Sequence, residues 1–151
     1  YTGVTGTPTA LGTNMEGRVK QVAIMHYNMP GEMGKWTKEF KDKFGDDMYT
    51  GQIPTLYNAL STAMAQAKST DPVKVAAALS GLKFKNWNGD VEIRRADHQL
   101  QQPLIVSVMD RAGAPSVKHD VEGSGFGFRT VRRFEANEVE MPTSCKMPRV
   151  D

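Results

Sequence analysis

Residues 86–109, NWNGDVEIRRADHQLQQPLIVSVM, constrain the fold of this chain more than any other stretch. Residues 86–89 are turn formers, and 91–94 alternate as a short polar-faced strand. A link carrying His98 and Pro103 follows, and 104–109 form an apolar strand. Helical patterns precede this run and a Gly-rich tail follows it, so the chain reads as an α/β protein. The run contains no catalytic set of residues.

A length of 151 residues suits one compact unit or a piece of something larger. No window approaches the long apolar run that a membrane span requires. Nineteen basic and seventeen acidic side chains leave a net charge of +2. The basic groups are not gathered on one face, since Arg94-Arg95 and the arginines of 129–133 alternate with other residues, so no nucleic acid partner is expected. Cys145 stands alone and is expected to be free, or paired with another chain or a segment outside this sequence. The opening YTGVTGTPTALG, without an initiator Met or a signal peptide, reads as a loop entered from a preceding element, as in an internal fragment.

Residues 1–14 hold three Gly, five Thr and Pro8, a composition that favours turns over a helix. Residues 18–27, RVKQVAIMHY, alternate and then become apolar, as a strand entering a sheet does, and Asn28, Pro30 and Gly31 stop it. Residues 35–44 place Trp36, Phe40 and Phe44 at four-residue intervals, an amphipathic helix with an aromatic seam expected to pack in a core, ended at Gly45. Pro54 suits the first turn of a second helix whose apolar stripe is Leu56, Leu60, Ala63, Met64 and Ala67. Thr70 or Asp71 caps a third, with Pro72 early and Val73, Ala76, Ala77 and Leu79 as its buried face, and Gly81 ends it. After 104–109, the DRAGAP turn suggests a hairpin, and 117–121 and 128–134 alternate as further strands around a flexible GSGFG connector.

Candidate chemistry is sparse. His26, His98, His119 and Cys145 show no paired ligand spacing, so no metal is expected, and no cofactor motif is present. No G-x-S-x-G occurs, and Asp97 and His98, adjacent on an extended segment, point to opposite faces. Asp90 and Glu92 share a strand face, where carboxylates keep an edge soluble. No enzymatic activity is expected.

Taken together, YTGVTGTPTALG followed by RVKQVAIMH, the W-x-x-x-F helix ending KFGDD, the run STDPVKVAAALSGLKFKNWNGDVEIRRADHQLQQPL and the terminal PTSCKM carry a resemblance. The chain resembles the C-terminal portion of periplasmic solute-binding proteins of the branched-chain amino acid ABC transporter type, the leucine/isoleucine/valine-binding-like members of the type I periplasmic binding fold. The resemblance implies two parallel-sheet lobes with flanking helices, joined by three crossovers and closing on a small solute. It assigns residues 1–28 to the end of the second lobe, 29–86 to the closing helical part of the first, and 87–151 to the third crossover, the returning strands and the tail. Tyr1, Thr2 and Thr5 are then the expected ligand contacts, and Tyr27, Asn28, Asn88 and Gly89 the expected hinge.

The function so implied is the substrate-binding component of an ABC importer in the periplasm. It would take up an amino acid, an amide or an organic or aromatic acid and deliver it to the permease subunits. A sensory or regulatory ligand-binding module on the same fold is the alternative. The helices of 36–79 are expected to expose apolar stripes that the remainder of the protein, or another copy of the chain, would cover.

Overall fold

The computed structural model describes residues 7–48 and 51–146. These fall into two compact units, one built from residues 1–50 and 104–134, the other from 51–103 and 135–151.

The first unit holds helix α1 (Thr7–Leu11), strand β1 (Lys20–Ala23), helix α2 (Glu32–Phe44) and the hairpin of β5 (Leu104–Arg111) and β6 (Phe126–Phe134). Its sheet has the order β1-β5-β6, antiparallel throughout. Ile105, Met109, Phe126 and Phe128 are buried on it, as are Val117 and Val121 from the long β5–β6 connection. Pairing passes from Val106 opposite Arg132 to Ser107 opposite Thr130, so Val131 is an extra residue in β6: a bulge, exposed to solvent.

Three expectations change in this unit. The opening segment is helical from Thr7, with a 3-10 turn at Thr13–Met15, where the Gly/Thr composition suggested a loop. Residues 117–121 form no strand but a plug that buries Val117 and Val121, its backbone held by turns and side chains. Helix α2 begins a turn earlier than the aromatic spacing indicates, and it buries Met33 and Thr37 while Trp36 and Phe44 are 40% and 59% exposed. Its stop is as expected: Gly45 takes the left-handed conformation, and its N–H donates to the Lys41 carbonyl at 2.8 Å.

The second unit packs helices α3 (Gln52–Ala67) and α4 (Pro72–Leu79) against the antiparallel sheet β2 (Lys83–Asn86), β3 (Gly89–Ile93) and β4 (Leu100–Gln101). Its core is Ala59, Ala63, Val75, Leu82, Phe84 and Val91, joined by Met64, Leu79 and Ile93. Asp71 caps α4 by accepting from the N–H groups of Val73 and Lys74, with Pro72 in the first turn. The buried face of α4 is centred on Val75, and Val73 is exposed. On α3 the packed residues are the small Thr55, Ala59 and Ala63, whereas Leu56 and Leu60 of the expected stripe face outward with Ile53 and Tyr57. Every strand pair among the described residues is antiparallel, so the parallel lobe sheets implied by the resemblance are not among them.

Candidate functional site

The expected ligand contacts Tyr1, Thr2 and Thr5 lie outside the described residues. The expected hinge residues lie within both units. Tyr27 and Asn28 are inside the first, where the apolar run ends. The buried Tyr27 hydroxyl donates to the Met48 carbonyl at 3.1 Å. The Asn28 amide closes a two-bond clamp on His119, donating through Nδ2 to its carbonyl and accepting its N–H at Oδ1, each at 2.8 Å. Asn88 and Gly89 lie at the β2–β3 turn of the second unit, and the Asn88 amide donates to the Pro103 carbonyl at 3.1 Å.

Next to the Asn28 clamp, His26 is buried. Its Nδ1 accepts the Asn28 N–H at 3.2 Å, which leaves Nε2 as the protonated nitrogen, donating to the Thr130 hydroxyl at 2.8 Å. Burial disfavours the imidazolium and pushes the His26 pKa down to about 4. Nearby, Lys41 pairs with the buried Asp47 at 2.8 Å, and the hydrogen bond to that carboxylate raises the Lys41 pKa. The other Asp47 oxygen accepts the N–H of Glu122, which takes a positive φ. These side chains hold the 117–122 plug and the end of α2, which is positioning work with no nucleophile in it.

In the second unit the NWN of residues 86–88 is a set of stitches. The Trp87 indole donates to the Gly51 carbonyl at 2.9 Å, and the Asn86 side chain accepts the Asn88 N–H at 2.8 Å. On the sheet face, Lys83 pairs with Glu92 and Lys85 with Asp90 across β2 and β3. The two carboxylates thus each meet a lysine across the sheet, and β3 is its central strand, not the edge expected for Asp90 and Glu92. A cavity of about 550 Å3 lies over this face, lined by Phe84, Val91, Arg94, Gln101, Asn137 and Glu140. Asp97 is turned away from its neighbour His98 and binds Arg94. The Arg94 guanidinium, with help from the Gln99 N–H, holds the Asp97 carboxyl well below the usual carboxylate range.

Sequence reasoning missed β2, the Asn28 clamp and the Asn88–Pro103 bond. Four residues of alternating charge are a faint strand signal, and a side-chain amide closing on a distant backbone leaves no motif. Among the described residues no group of His, Cys, Asp and Glu could hold a metal ion, and no helix is long and apolar enough to cross a membrane. Cys145 is exposed with a free thiol.

The two units share one chain in alternate segments, and the chain has the fold of a piece of a type I periplasmic binding protein. The chain belongs to the periplasmic binding protein family, whose sequence profile matches residues 3–114. It is similar in structure to the leucine-, isoleucine-, valine-, threonine- and alanine-binding protein of Brucella ovis in its closed conformation. That match has 20% identity and a TM-score of 0.81, and covers 97% of this chain and 39% of the other. It is similar too to an ABC-type branched-chain amino acid transporter protein of Rhodopseudomonas palustris, with 24% identity, a TM-score of 0.69, and coverage of 87% and 34%. A third similar structure is a solute-binding protein of an ABC transporter from Rhodopseudomonas palustris in complex with 3,4-dihydroxybenzoic acid, at 16% identity, a TM-score of 0.64, and coverage of 84% and 33%. The chain therefore spans about two fifths or less of the length of these structures. No curated protein matches it.

Proposed function

We propose that this chain is part of the solute-binding component of an ABC importer. It works in the periplasm, closing two lobes on a small organic solute and handing it, without turnover, to the permease. The observation that carries the reading is the order of the segments. The chain changes compact unit three times, at 50/51, 103/104 and 134/135, as a chain shared between two lobes does.

On this reading residues 7–48 and 104–134 belong to one lobe, and 51–103 and 135–146 to the other. The lobe boundaries suggested at 28 and 86 move accordingly, and the flexing points are the three crossings. Tyr27, Asn28 and Asn88 anchor chain within a unit, and Tyr1, Thr2 and Thr5 are kept as ligand contacts. The outward face of α3 is covered by the remainder of the protein.

Names of the similar proteins point to two solute classes, aliphatic amino acids and hydroxybenzoates. The test is thermal unfolding of the full-length protein with leucine, alanine, phenylalaninamide and 3,4-dihydroxybenzoate. A ligand at about 100 times its Kd stabilises by roughly 2.7 kcal/mol, a readily measured rise in Tm. A rise with one class and no chemical change in that ligand is expected. Absence of stabilisation by every class, or turnover of the bound compound, overturns the reading.

A further inference from the structure

The link between β3 and β4 carries a cluster that solute binding does not use. Arg94 and Asp97 are nearly buried, with 12% and 11% of their side chains exposed. The guanidinium forks onto the carboxylate, Nε to Oδ1 at 2.9 Å and Nη2 to Oδ2 at 2.5 Å, and Nη2 also donates to Gln99 Oε1 at 3.1 Å. The remaining donor, Nη1, reaches the C-terminal segment. It donates to the Met141 carbonyl at 2.6 Å and to Glu140 Oε1 at 3.3 Å. The Thr143 hydroxyl adds a hydrogen bond to Asp97. Two side chains of the link thus hold three residues of the tail.

Residues 141–146 are exposed, and the cavity over the β2–β3 face extends beneath Ala136, Asn137 and Glu140, so the segment stands off the sheet it passes. The chain enters the second unit at Glu135, makes one 3-10 turn at Ala136–Glu138 closed by a reciprocal Glu135–Glu138 capping box, and meets Arg94 at Glu140. Only residues 135–139 separate the third crossing from its first ionic anchor.

We propose that Arg94 and Asp97 pin the C-terminal segment to the second unit and so set the length of free chain at the third crossing. The inference rests on the two-lobed reading, in which the crossings flex as the lobes close. A short tether limits that motion, and each residue released adds up to about 3.3–3.6 Å of reach. Arginine suits the role because its planar fork engages the carboxylate with two donors and keeps a third for the tail, which a lysine ammonium does not reproduce.

The experiment uses the full-length protein and a glutamate-specific protease, which reports on the tail by cleavage after Glu138 and Glu140. Arg94→Ala and Asp97→Asn are expected to speed these cleavages about tenfold, and Arg94→Lys to fall between them and the parent. Asp97→Asn keeps the side chain's shape and supplies the answer if Arg94→Ala fails to fold. Unchanged cleavage in the folded variants overturns the pin. Small-angle scattering with leucine or 3,4-dihydroxybenzoate reads lobe closure separately. If the parent compacts and the variants compact identically with unchanged affinity, the tether role is overturned. If the parent compacts with neither compound, the solute reading fails while cleavage still decides the pin.

Discussion

Asn28 and His119, ninety-one residues apart, are joined by both ends of one amide, which donates to the His119 carbonyl and accepts its N–H, each at 2.8 Å. The clamp fixes the 117–121 plug where Val117 and Val121 are buried. Asn28→Asp keeps the acceptor and loses the donor, leaving the His119 carbonyl to face a carboxylate. Chemical denaturation at neutral pH is expected to show a loss of about 1–3 kcal/mol, as for other buried hydrogen-bonding groups left unpaired.

Gly127 passes close beneath this clamp. A Cβ placed there would lie 2.5 Å from the His119 carbonyl oxygen, 2.8 Å from Val117 Cγ1 and 2.9 Å from Asn28 Nδ2. The nearest obstacle is backbone, so a side-chain rotation does not relieve it. Gly127→Ala should destabilise by about 1–3 kcal/mol, the usual cost of overpacking. An unfolding midpoint equal to that of the parent would show that the strand shifts freely at this point.

His26 makes stability depend on pH. Its folded pKa, about 4, lies below the ordinary imidazole value of 6.5, so between those values the unfolded chain binds a proton that the folded chain refuses. Stability from this group is full above about 6.5 and is lost as pH falls toward 4, by roughly 3 kcal/mol in all. Unfolding titrations from pH 7 to pH 4 on the parent and His26→Gln should differ in slope across that window. Parallel curves would remove His26 as the source.

Gln21 and Ser107 are opposite one another across β1 and β5, both fully buried, and neither side chain has a hydrogen-bond partner among the described residues. Their polarity therefore opposes burial without compensation. Gln21→Met, close in length and apolar, is expected to leave stability unchanged or raise it by about 1–3 kcal/mol. A clear loss on thermal unfolding would mean that the amide is satisfied in solution.

Local chemistry was the most legible part of the sequence. The Asp71-Pro72 cap, the Gly45 stop and the apolar strand of 104–109 depend on the residues that form them, and all are present. Burial was less legible, because it depends on which face meets a neighbour. On α3 the large Leu56 and Leu60 dominated the pattern, but the small Thr55, Ala59 and Ala63 are the packed residues, since small side chains let α3 approach α4 and β2 closely. On α2 the buried residues are Met33 and Thr37, whereas Trp36 and Phe44 of the aromatic seam are exposed. The alternation of 117–121 was real, yet its two valines fill a plug whose backbone bonds to Asn28, to the turn at 113–114 and, at Val121, to the first residue of β6, with no ladder along a strand. The expected solute contacts fall on residues 1, 2 and 5, outside the described residues.

His98 sits in the left-handed backbone region, at φ 58°, and its N–H closes the loop by donating to the Arg94 carbonyl at 2.8 Å. Its imidazole is exposed. Within the DHQLQ run, the imidazole-bearing residue is thus constrained through its main chain. A saturation library at this position should be sorted by torsion and not by acidity or ligation, returning glycine and asparagine and rejecting valine and isoleucine.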